Sequence, residues 1–169
     1  MKKVILISFL CLITWLQSSA QYCSSVADTG QSHDIVKVYL NGNIGQINNQ
    51  TNCNSLTGSQ GVATGTVGRY SNFTTDTTIP RPKLRMGNTY SLTVNTRTCV
   101  TSGSSGIRMA FIDYNNDGDF LDTNEKIVVD PSFSTDTSKT VNFVVPFGSY
   151  TGKTRMRIVF RMVTSLSMM

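Results

Sequence analysis

Apolar and polar side chains alternate at a period of two through much of the chain, most cleanly near its C-terminal end. In Thr154 to Met162 (TRMRIVFRM), Met156, Ile158, Phe160 and Met162 fall on one face and Arg155, Arg157, Val159 and Arg161 on the other. Successive side chains of a strand point to opposite sides of a sheet, so the pattern predicts a half-buried strand. Thr140 to Val145 repeats it with Val141, Phe143 and Val145 inward, and Tyr90 to Val94 with Tyr90, Leu92 and Val94 inward. Further strands are predicted over Ile35 to Leu40, Val67 to Phe73, Ile107 to Asp113 and Lys126 to Val129. Between them stand turn signals: Asn41-Gly42-Asn43, Gly58 to Gly68, Met86-Gly87-Asn88, Ser102 to Gly106 and Pro146 to Gly152. Gly58 to Gly65 (GSQGVATG) is polar enough to read as a mobile loop. Seven or more short strands so punctuated predict an all-β fold, an antiparallel β-sandwich with Greek-key, jelly-roll-like connections. Richness in Thr, Ser, Asn and Gly, with little Ala, Glu or Leu, disfavours long helices.

The N-terminus follows a different pattern. Lys2 and Lys3 precede an uninterrupted apolar run, Val4 to Leu16, and Ser18-Ser19-Ala20 supplies small residues before Gln21. That order is a secretory signal peptide, residues 1–20, and it places the mature protein outside the cell. The run is shorter than the roughly 20 residues of a membrane span, and no second one follows, so no transmembrane segment is expected. Cleavage after Ala20 would leave 149 of the 169 residues, enough for a single domain, 21–169, with a core of its own. The only tryptophan, Trp15, would leave with the signal, so that core must rest on Phe, Tyr, Val, Ile, Leu and Met.

Charge changes the picture at one place. Of ten Asp and Glu in the chain, five lie in DYNNDGDFLDTNE, residues 113–125: Asp113, Asp117, Asp119, Asp122 and Glu125. Close carboxylates repel by roughly 1 kcal/mol per pair even in high dielectric, so the loop either splays into water or is gathered by a cation. Asp113, Asn115, Asp117 and Asp119 alternate as in calcium loops, with Gly118 at the tight turn, and such oxygens can wrap a hard cation at about 2.4 Å. An EF-hand would place a bidentate Glu at the twelfth position; that residue is Asn124, and the carboxylate follows at Glu125. Flanking segments alternate like strands. The loop therefore reads as a non-EF-hand Ca2+ turn between strands, with Asp113, Asn115, Asp117 and Glu125 as ligands, Asp119 through its carboxylate or carbonyl, and Asp122 in reserve. A solvated hairpin needs Asn and Asp for turn geometry alone, but it does not need three spaced ligands and a later Glu. Magnesium, which prefers octahedral geometry and keeps its waters, suits the loop less well.

Tyr22-Cys23-Ser24, Gly45 to Asn49, Asp113 to Phe120 with Glu125, Val144-Val145-Pro146 and Thr154 to Arg157 together resemble the GEVED domain of secreted, mostly bacterial proteins. The resemblance spans nearly all of the chain after residue 20. It implies a β-rich extracellular module with a non-catalytic accessory role, of a kind often joined to peptidases, other hydrolases or adhesins. The family's closing Gly-Glu-Val-Glu-Asp-like strand, and the cysteine that usually precedes it, have no counterpart before Met169, so a C-terminally truncated domain is expected. An open sheet edge left there would favour self-association.

Three cysteines follow the signal segment, Cys23, Cys53 and Cys99, none in a C-x-x-C pair. Export favours disulfides, and an odd number leaves one thiol unpaired. The resemblance implies that the usual partner of Cys23 is missing, and on that basis Cys23 is expected free and Cys53 bridged to Cys99. His33, the only histidine, has no nucleophile elbow or oxyanion motif beside it, so no catalytic role is expected. Arg155, Arg157 and Arg161 on one strand face could form a patch for an acidic polysaccharide, although a solvated sheet face explains them as well. They lack the interleaved aromatics of single-strand nucleic-acid binders, and no nucleic-acid partner is expected. The expectation is a secreted, calcium-binding β-sandwich for adhesion or recognition of a polysaccharide or cell-surface protein. Its rival is an accessory domain or fragment of a secreted calcium-dependent hydrolase or peptidase.

Overall fold

A computed structural model of the chain describes residues 22–23, 33–100, 106–130 and 137–162. The expected signal segment, most of the turn before Gly106 and residues 163–169 lie outside the described residues. Within them are strands and no helix, and hence no helix long and apolar enough to cross a membrane. The fold is all-β and sandwich-like. One antiparallel sheet has the order β10 (Ser138–Val144), β7 (Thr89–Thr98), β1 (His33–Asn41), β2 (Gln46–Gln50). A second has the order β11 (Met156–Met162), β8 (Gly106–Ile112), β9 (Lys126–Asp130).

The core is made by the inward side chains of both sheets. Leu40, Tyr90, Leu92, Val94 and Phe143 come from the first and Ala110, Ile112, Ile127 and Val129 from the second. Leu92 and Val94 are fully excluded from water, and burying side chains of this size stabilises by roughly 1.5–3 kcal/mol each. Two bulges set which residues reach this core. In β1 the register against β7 shifts between Ile35 and Lys37, so Ile35 and Val38, an odd number of residues apart, both pack against it. In β9 a shift opposite Arg108 and Met109 lets Ile127 and Asp130 share the inward face.

Among the described residues, that inward face holds one charged pair. Arg108 is 1% exposed; its guanidinium donates to Asp130 at 3.0 Å, to the Val94 carbonyl at 3.2 Å and to the Thr137 carbonyl at 2.8 Å. The arginine thus ties the second sheet to strand β7 of the first, with both terminal nitrogens engaged, one of them also by the Thr137 hydroxyl.

Gly58 to Gly65, expected to be a mobile loop, instead contributes to two small hairpins: β3 (Thr57–Gly58) with β4 (Gly61–Val62), and β5 (Thr64–Thr66) with β6 (Tyr70–Asn72). Polarity did not forbid structure here because the strand partners are polar too. Gln60 and Ser59 accept from the amides of Asn48 and Gln50 on β2, closing an edge that would otherwise stay open. Val67 to Arg69, expected within a strand, forms the turn of the second hairpin. Cys53 and Cys99 are joined, with Cα atoms 5.6 Å apart, fastening the segment before β3 to the end of β7; Cys23 is free and exposed.

Candidate metal centre

Strand β8 delivers the acidic loop and β9 receives it. The amide of Ile112 donates to the Glu125 carbonyl at 2.9 Å, continuing the ladder across the mouth of the loop, and the Glu125 amide closes a turn on the Asp122 carbonyl at 3.2 Å. Asn116, Gly118 and Asn124 have φ of 61°, 92° and 76°. This left-handed region is open to Gly and tolerated by Asn. Asn124 therefore suits the turn that leads into Glu125.

The six expected ligands divide into an outer and an inner set. The outer carboxylates, Asp117, Asp119 and Asp122, each offer an oxygen within 4.8 Å of the others. Asn115 joins them, donating to Asp117 at 2.9 Å and to Asp122 at 2.5 Å. The side-chain oxygens of Asn115, Asp117 and Asp119 each accept the amide two residues on, at 3.1, 3.1 and 2.8 Å. The Asp119 amide, with Asn115, holds the Asp117 carboxyl below the usual carboxylate range.

The inner set is Asp113 and Glu125. Asp113 is fully buried and accepts from the amides of Asn116 (2.5 Å) and Gly118 (3.1 Å) and from the Tyr22 hydroxyl (2.5 Å). It fixes the shape of the loop rather than joining the outer group. Glu125 is 1% exposed; Oε1 accepts the Tyr114 amide at 2.9 Å, and Oε2 has no hydrogen-bond partner among the described residues. Burial pushes its pKa up, and the charges of Asp113 and Asp122 add to this. The Tyr114 hydroxyl is likewise buried without a partner, and burial together with the Glu125 charge pushes it up to about 12. Such orphaned groups cost about 1–3 kcal/mol each unless something completes them. The donors are hard oxygens throughout, a set suited to calcium.

Sequence reasoning missed the contribution of the N-terminus. The Tyr22 ring lies 5.2 Å from that of Phe120 in the loop and beneath the Arg155 guanidinium at 4.1 Å. Arg157 lies over Phe120 at 4.9 Å and donates to the Cys23 carbonyl at 2.7 Å. Burial first, then the bond to Asp113, pushes the Tyr22 hydroxyl up to about 12. No local pattern could have revealed contacts made across 91 to 134 residues of chain. These contacts also change the expected arginine patch. Arg155 and Arg157 are half-buried and engaged with aromatic rings, and Arg161 alone is exposed. Register places their face beside Phe111 and Ile107, a mixed surface rather than a purely basic one. Near the loop, the polar groups of Asn124, Lys126 and Asn142 share a shallow, open groove of about 500 Å³ with apolar Val141, Val144 and Pro146.

The family model of the GEVED domain matches residues 107–168, from β8 through the acidic loop to beyond β11; it agrees with the family read from the sequence, while the resemblance at Tyr22 to Ser24 and Gly45 to Asn49 lies outside the match. This family is one of small β domains. No curated protein and no solved structure matches the chain.

Proposed function

We propose that the protein is an exported, non-catalytic recognition or adhesion module whose acidic loop binds calcium as a structural ion. The observation that carries this reading is the arrangement of carboxylates. Three outer groups converge within 4.8 Å, and at the end of the same loop the buried Glu125 keeps one oxygen without a partner among the described residues. Asp117, Asp119, Asp122 and Glu125 would hold the ion, with Asn115 as a neutral oxygen donor and Asp113 shaping the loop. Calcium would supply charge neutralisation; its tolerance of six to eight oxygen ligands suits a mixed set of side chains.

Support for a non-catalytic role comes from the lone His33, buried with its ring 5.6 Å from Phe160. The Cys53 to Cys99 bridge is of a type that persists in oxidising compartments and agrees with export.

Calorimetry with calcium and thermal melting with and without chelator test the ion. Binding at 100 times the dissociation constant should stabilise by about 2.7 kcal/mol, and Asp117→Ala should remove most of that response. No heat and an unchanged melting curve would reduce the loop to a turn. Pull-down on insoluble polysaccharides, with product analysis, tests the role: retention without turnover supports recognition, and turnover supports the hydrolase alternative.

A further inference from the structure

We infer that Tyr22 is a positioning residue of the acidic loop, so that calcium binding and docking of Tyr22-Cys23 strengthen one another. The inference rests on the calcium reading above. Tyr22 grips the loop at two points far apart in its sequence. Its hydroxyl donates to Asp113, the buried residue whose carboxylate also takes the Asn116 and Gly118 amides. Its ring meets Phe120, which stands between the outer carboxylates Asp119 and Asp122. Phe120 in turn lies 5.9 Å from Phe111 on the outer face of β8. Arg155 and Arg157 close over the two rings.

The geometry has a direct energetic consequence. Without a cation, Asp117, Asp119 and Asp122 repel one another and favour an opened loop. Opening would carry Phe120 away from Tyr22 and release the clasp. Calcium draws the same carboxylates together and returns Phe120 to the ring. Linkage then requires that the factor by which docked Tyr22 raises calcium affinity equal the factor by which calcium raises docking. The Cys23 thiol, free and exposed, offers a site for a reporter, because the clasp uses the Cys23 carbonyl and not its sulfur.

The test uses the full secreted chain. Calcium titration by calorimetry is compared for wild type, Tyr22→Phe and Tyr22→Ala, with the strand signal in circular dichroism confirming that each is folded. A nitroxide on Cys23 reports segment motion by spin-resonance line shape with calcium and with chelator. Expected are calcium affinities lowered about threefold in Tyr22→Phe, which keeps the ring, and about tenfold in Tyr22→Ala. The nitroxide should be immobilised by calcium in wild type and far less so in a Tyr22→Ala background. Normal calcium affinity in folded Tyr22→Ala, or a calcium-insensitive nitroxide on a protein that binds calcium, would overturn the coupling and leave the calcium reading standing. A wild-type chain that binds no calcium would overturn both.

Discussion

Glu125→Gln should stabilise the calcium-free protein while weakening its response to calcium, an unusual pairing of signs. Glu125 is 1% exposed with Oε2 unpartnered, and Asp113, Asp122 and the Tyr114 hydroxyl are the ionisable groups that bear on it. Glutamine has nearly the same shape. It keeps an oxygen for the Tyr114 amide and puts an uncharged donor among carboxylates. Removing one unsatisfied buried oxygen is worth about 1–3 kcal/mol, from which the strain of a new amide contact subtracts, so a gain of about 1 kcal/mol is expected without calcium. For a domain of this length that is about 4 °C in melting temperature.

The dependence on pH gives the reasoning a second check. The folded pKa of Glu125 is raised above its ordinary 4.5, so the folded state holds this proton more firmly than the unfolded chain does. Its contribution to stability is therefore complete below about pH 4 and is lost as pH rises through the folded value. Glutamine does not titrate. The advantage of the variant should be largest at pH 7 and close towards pH 4, while calcium should raise its melting temperature by less than half the wild-type increment. Differential scanning calorimetry at both pH values, with chelator and with excess calcium, measures all of this. A variant no more stable than wild type at pH 7 without calcium, or one with an undiminished calcium increment, would refute the reasoning.

Arg108→Met should destabilise by about 3 kcal/mol, because it leaves the Asp130 carboxylate buried without its guanidinium. A lower urea midpoint at unchanged slope would show this, and adding Asp130→Leu should recover much of the loss. Cys99→Ser should cost up to about 4 kcal/mol by releasing a loop of 46 residues, read as a fall in melting temperature, and a shift under 1 °C would refute it.

Strand identity was legible in the sequence wherever one face is buried, because a period of two is imposed by the pleat and survives in Tyr90-Leu92-Val94 and in Val141-Phe143-Val145. It was not legible in β2 to β5, which are short and mostly polar, with Ile47 as the single apolar residue of β2, so that no alternation marks them; side-chain bonds such as Asn48 to Gln60 add to their backbone pairing. The acidic loop announced itself through the spacing of its oxygens and its glycine, all local features. Its division into an outer group and a buried pair was decided by tertiary structure: whether a carboxylate faces water or the core depends on what packs behind it, here Tyr114 and Tyr22. The inward placement of Arg108 is of the same kind, since alternation gives a residue its face but not the partner that makes a buried charge tolerable. Spacing within a few residues sets local geometry and the chemistry on offer. Burial, which decides how each group behaves, arises only when distant segments meet.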